Sequence, residues 1–147
     1  MQAIFPVRYS HNEGALCSGE DGSSTELLTT DQPVKLGGRD LGPDPMSMLL
    51  ASLLGCEQYV VDLAAKDLSM DIHSVAYEVQ GDYDVRGFLG DEGVPSHFQR
   101  LRIKASVITK ESEEKLAELA RIVQKRCPVS DLFQAAGIDL QVKFVKV

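Results

Sequence analysis

The residues of this chain with the widest chemical range are its three cysteines, Cys17, Cys56 and Cys127. A thiolate can attack a peroxide or a disulfide, or bind a soft metal. An odd count at wide spacing argues against a structural disulfide framework. Cys56 closes the apolar run MSMLLASLLGC, where burial alone raises a thiol pKa and leaves the group inert unless a cation or hydrogen-bond donors lie close by. Cys127 precedes Pro128, which breaks the helix before it. The amides of a following helix could stabilise a thiolate there. Free cysteine is also among the most buried residue types and often only fills space. Residue type alone therefore leaves a chemical and a packing reading open.

Other chemistries find little footing. His11, His73 and His97 show no metal-ligand spacing with one another or with the cysteines, so no metal is expected. CxxC, GxSxG, Walker A and GxGxxG patterns are missing from the sequence, and no cofactor is expected. A papain-like Cys/His site lacks any feature that places a histidine beside a cysteine. With 22 acidic and 15 basic residues the formal charge is -7, which disfavours nucleic acid as a partner. The start, MQAIFPVRYS, lacks the charged and apolar regions of a secretory signal. The longest apolar stretch, residues 46 to 56, is too short to span a bilayer. These features lead us to expect a cytoplasmic protein with reduced thiols and no membrane association.

The elements that must position the thiols can be read in order. A length of 147 residues fits a single domain over 1–147. IFPVRYS and ELLTTDQPVKL read as strands, HNEG and SGEDGSS as turns, and Pro6 suggests an edge strand or bulge. Residues 36 to 44 read as a Gly-rich loop. Asp44 is a plausible N-cap, and Pro45 suits the first position of a helix running to about Ala65. That helix is apolar around most of its circumference, which predicts burial in a core. Gly55 within it suggests the close approach of another backbone. Val75, Tyr77 and Val79 alternate with polar neighbours as in a half-buried strand. GDYDVRGFLGDEGVPS reads as a long loop. Leu101, Ile103, Ala105 and Val107 define one face of a further strand, with Arg100, Arg102 and Lys104 on the other. Residues 111 to 126 form an amphipathic helix whose apolar stripe Cys127 extends. A short helix, about 128 to 136, ends at Gly137, and DLQVKFVKV is a last strand. The order predicts an α+β domain with mostly antiparallel pairing.

At this point the sequence resembles the OsmC/Ohr family of thiol-dependent peroxidases. The resemblance follows element order over nearly the whole chain, and its most specific parts are GPDPMSMLLASLLGC and KRCPVSDLF. It implies antiparallel sheets around a long buried central helix, in an intertwined homodimer with two sites at the interface. It further implies that Cys56 is the peroxidatic thiolate, attacking an organic hydroperoxide and passing to a sulfenic acid. Cys127 would resolve this acid as a disulfide, and a thiol reductant such as a dihydrolipoyl protein would restore both thiols. Family peroxidases carry a glutamate just after the proline that opens the buried helix, where this chain has Met46. They also use an arginine near the first hairpin, where HNEGA offers none. Arg8, Arg39 and Arg86 are the candidates. Arg86 comes first, because its segment resembles a variant branch of the family. Glu57 could orient such an arginine, or make a structural hydrogen bond. Cys17, in ALCSG, reads as a bystander.

Beside a peroxide-reducing enzyme stand three other readings: a non-catalytic binding protein on the same scaffold, a redox sensor, and a structural protein with two core cysteines. Fold does not choose among them.

Overall fold

The computed structural model describes residues 7–20 and 27–147. The chain divides into two compact units, Met1–Ala51 and Ser52–Val147. The expectation at Pro6 lies outside the described residues.

In the first unit, strands β1 (Arg8–Glu13), β2 (Leu16–Glu20) and β3 (Leu27–Thr30) pair antiparallel in sequence order. Residues of the HNEG segment expected as a turn lie in β1, and the chain turns at Gly14, with φ +59°. Cys17 is part of β2, opposite His11 and Thr30. Residues 34 to 36 form a short 3-10 helix where a strand was expected. The loop that follows is organised by Asp31, which is buried. Its carboxylate accepts the N–H groups of Gln32, Arg39 and Leu41 at 2.8, 3.0 and 3.2 Å. Burial opposes the charge, but these three donors and the Arg39 guanidinium hold the Asp31 carboxyl below its ordinary value.

Helix α1 (Pro45–Asp67) starts where expected and runs slightly further. Asp44 Oδ1 accepts the N–H groups of Met46 and Ser47, both at 3.1 Å, so the capping expectation holds. Burial is narrower than the sequence suggested. Leu53, Glu57, Val60, Val61, Ala64 and Ala65 are buried, while Leu49 and Tyr59 are exposed. A Cβ at Gly55 would meet nothing within 4 Å, so among the described residues no backbone approaches it. Because α1 continues past Glu57 and Gln58, it is long and apolar enough by length and composition to cross a membrane. The short run considered alone had suggested otherwise. Its Val60, Val61 and Ala64 nevertheless pack into a core with Val107, Leu116 and Phe144, as a globular core helix does.

In the second unit, β4 (Ile72–Asp82) pairs antiparallel with β5 (Arg100–Thr109). Val75, Tyr77 and Val79 face inward, half-buried, and Ala76, Glu78 and Gln80 face out. Leu101, Ile103, Ala105 and Val107 are buried. Arg102 and Arg100, on the opposite face, pair with Asp82 and Asp139 at 2.6 and 2.8 Å. The long loop before β5 contains one turn of helix, α2 (Val85–Phe88), capped by Asp84. The chain then crosses over through α3 (Glu113–Arg126) and α4 (Pro128–Ala135) to β6 (Asp139–Lys146). This crossover makes β6 parallel to β5, so the sheet is mixed. A strand–helix–strand connection returns the chain in the same direction. Leu116, Leu119, Ala120 and Val123 of α3 are buried as the amphipathic pattern predicted, and each full-sized side chain so buried contributes about 1.5–3 kcal/mol.

Candidate thiol site

Three consecutive features of the sequence bring the thiols together in the second unit. The apolar stripe of α3 points its last member, Cys127, into the core, where it is fully buried. Pro128 then forces Cys127 into an extended conformation, φ -76° and ψ 115°, so that α3 ends and α4 begins on the same residue. Cys127 is the N-cap of α4, and its Sγ accepts the N–H of Ser130 at 3.5 Å. On the facing side, α1 presents Cys56, half-buried, against the same core cluster.

The two thiols are free, and Cys56 lies near enough to Cys127 to feel it. Burial pushes the Cys56 thiol up, and the Cys127 thiol and the Glu57 carboxyl push the same way. The N–H of Val129, in the first turn of α4, is the opposing influence and favours the thiolate. The start of α4 thus offers one amide to each sulfur, Val129 to Cys56 and Ser130 to Cys127. Two neighbouring thiols are the chemical requirement for two-electron chemistry in which one sulfur is oxidised and a second attacks it.

Glu57, next to Cys56 on α1, is buried without residual exposure. Its Oε1 accepts the Ser130 hydroxyl at 2.8 Å, and its Oε2 is buried with no hydrogen-bond partner among the described residues. Burial raises the Glu57 pKa, with the Ser130 hydroxyl acting against it. The neighbouring Gln58 accepts the Tyr77 hydroxyl at 3.0 Å, tying α1 to β4.

Of the four residues singled out from the sequence, Cys56, Glu57 and Cys127 are brought together. Arg86 is placed elsewhere in its interactions. Its guanidinium pairs with Asp84 at 2.6 Å, and its side chain is 64% exposed. The physical reason is local: α2 is a single turn, and its N-cap carboxylate lies two residues from Arg86. Among the described residues Glu57 meets a serine and no arginine. Ser130 was missed by sequence reasoning. Its only sequence signal is its spacing, three residues beyond a capping cysteine. Among the described residues no group of three or more His, Cys, Asp or Glu could hold a metal ion.

Comparison with known proteins places this arrangement in context. The family model described as OsmC-like protein matches residues 37–143, and the chain belongs to that family. An OsmC-like protein from Mycoplasma pneumoniae shares the fold with a TM-score of 0.86 at 19% identity, covering 100% of this chain and 99% of that one. An organic hydroperoxide resistance protein OsmC from Legionella pneumophila gives 0.73 at 15% identity, covering 97% and 98%. One from Elizabethkingia anophelis gives 0.73 at 15%, covering 100% of both chains. At these identities the structural likeness speaks to the α+β fold. No curated protein matches the sequence.

Proposed function

We propose that the protein reduces organic hydroperoxides through Cys56 and Cys127. The observation that carries this reading is the pair of neighbouring free thiols, Cys56 on α1 and Cys127 at the start of α4, both facing amides of that helix. In the proposed cycle the Cys56 thiolate attacks the O–O bond and the alcohol leaves, so that Cys56 becomes a sulfenic acid. The Cys127 sulfur then displaces its oxygen as water and closes a disulfide. A dithiol reductant, of the lipoyl kind, returns both thiols. Names of two structural neighbours, the Legionella and Elizabethkingia proteins, point the same way.

The cycle needs a thiolate at Cys56, and burial opposes one. A guanidinium must therefore approach. Arg86, released from Asp84, is our candidate, and Arg86→Ala then slows sulfenic acid formation with the fold intact. The exposed apolar side chains of α1, Leu49 and Tyr59, support a homodimer whose interface covers that face. An apolar site also rewards apolar substrates, so bulky organic peroxides react faster than hydrogen peroxide.

One observation favours a second reading. Cys56 is held toward its neutral thiol while Arg86 is occupied by Asp84, which suits a slowly oxidised redox sensor better than a fast enzyme. Hydroperoxide consumption with a dithiol present separates the two. The enzyme reading predicts repeated turnover that Cys56→Ser abolishes, and a single turnover for Cys127→Ser that leaves Cys56 as a sulfenic acid. Stoichiometric consumption by the wild type, without turnover, selects the sensor.

A further inference from the structure

The thiol chemistry above accounts for two sulfurs and two amides, but not for the most costly group beside them. Glu57 is a carboxyl without solvent exposure, and one of its oxygens has no partner among the described residues. A buried polar group left without a partner carries an uncompensated desolvation penalty, so its retention next to Cys56 calls for a reason. The residue it meets supplies one. Ser130 lies in the first turn of α4 and does two things at once. Its hydroxyl donates to Glu57 at 2.8 Å and its amide donates to the Cys127 sulfur at 3.5 Å. Glu57 follows Cys56 directly on α1, and Val129, whose amide faces Cys56, directly precedes Ser130. One side-chain hydrogen bond therefore spans the two helices at the level of both sulfurs.

We propose that Glu57 and Ser130 are positioning residues for disulfide closure: their buried hydrogen bond docks the amide-bearing start of α4 against the Cys56 turn of α1. The strap acts through Val129 and Ser130, whose amides set where the two sulfurs lie. Its charge state matters as well, because an ionised Glu57 stands beside any thiolate at Cys56 and opposes it. The titratable groups around Glu57 are few. Cys56 shares its helix, Cys127 comes from the start of α4, and Tyr77 of β4 feels its charge. The buried residues of α3 and β5 in this core, Leu116, Leu119, Val123, Ala105 and Val107, are apolar. Among the described residues no cation is paired with the carboxylate, and the Ser130 hydroxyl is its hydrogen-bond partner.

The inference rests on reading Cys56 and Cys127 as a working thiol pair, and its test avoids peroxide. Diamide takes two electrons and two protons from two thiols, becoming a hydrazine as the S–S bond forms. Its closure of the Cys56–Cys127 bond can be followed by mass spectrometry in reduced protein at fixed pH. Ser130→Ala is expected to close the bond about ten-fold more slowly or worse, since misplacement on the ångström scale is enough for such a loss, with modification of Cys17 unchanged. Glu57→Gln keeps an acceptor for the Ser130 hydroxyl and cannot ionise. It is expected to close at the wild-type rate or faster, and the pH profile of Cys56 alkylation should move to lower pH. A purely structural role would not move that profile. The proposal is overturned if folded Ser130→Ala closes the bond at the wild-type rate. Should Ser130→Ala fail to fold, an unshifted alkylation profile in Glu57→Gln overturns it instead. Closure by diamide in a wild type that consumes no hydroperoxide would count against the peroxidase reading alone.

Discussion

Removing one hydroxyl, in Ser130→Ala, should destabilise this protein far more than its size suggests. Ser130 is fully buried, and among the described residues its Oγ is the one donor to a fully buried carboxyl whose other oxygen has no partner. The substitution leaves both Glu57 oxygens without a donor. Losing a hydrogen bond to such a group, with the acceptor stranded in the core, costs about 2 kcal/mol. The lost volume is a single oxygen atom and contributes little. For a chain of this length, that loss corresponds to a fall in Tm of about 4–8 °C. Urea denaturation of the reduced proteins at pH 7, at matched concentrations, measures it directly. A second variant shows where the energy comes from. Glu57→Met combined with Ser130→Ala removes both polar partners, and replacing a buried pair by apolar groups is often nearly neutral. The double variant should therefore recover most of the loss. If Ser130→Ala is within about 0.5 kcal/mol of wild type, the ordinary range of a surface substitution, then the Glu57–Ser130 bond does not hold α4 to α1.

Other consequences are independent of that variant. Burial raises the folded-state pKa of Glu57 above its ordinary 4.5, so its contribution to stability is fully present below that value and is lost as pH rises through the raised one. Glu57→Gln should flatten this decline in a urea-denaturation series against pH. Asp84 behaves oppositely, because the Arg86 guanidinium holds it at about 2. Its contribution is full above 3.8 and lost as pH falls through about 2, and Arg86→Ala should bring its titration by NMR back toward the ordinary range. Gly87→Ala should destabilise the segment around α2 by about 1–3 kcal/mol, because a Cβ there would lie 2.5 Å from the carbonyl oxygen of Pro95 and 2.6 Å from that of Val94. Faster amide exchange in residues 85–95 would report it. A homodimer covering α1 should sediment as such at micromolar concentration, and Tyr59→Glu should dissociate it.

The parts of the fold legible in the sequence are those with a strong local signal. The stripe of α3, the alternation of β5 and the Asp44–Pro45 start of α1 each follow from periodicity or capping within a few residues. The parallel pairing of β6 with β5 was not legible, because it depends on the path of the crossover rather than on the composition of either strand. The one-sided burial of α1 was also hidden: an apolar circumference states what a helix can bury, not what this chain places against it. At the site, Cys56 and Cys127 were found through their motifs and Glu57 through its adjacency. Ser130 carries no motif, and its role emerges only when α1 and α4 are side by side. Arg86 was selected by likeness of segment, but the carboxylate that engages it lies two residues away, a competition that a motif comparison does not weigh.

The most direct test of the central claim, that Cys56 and Cys127 act as one redox pair, is disulfide mapping after a single equivalent of an organic hydroperoxide. Reduced protein is treated, alkylated, digested and analysed by mass spectrometry. The account predicts one linked species joining the Cys56 and Cys127 peptides, with Cys17 alkylated and one peroxide consumed per bond formed. Linkage through Cys17, or peroxide left intact with all three thiols alkylated, would contradict it.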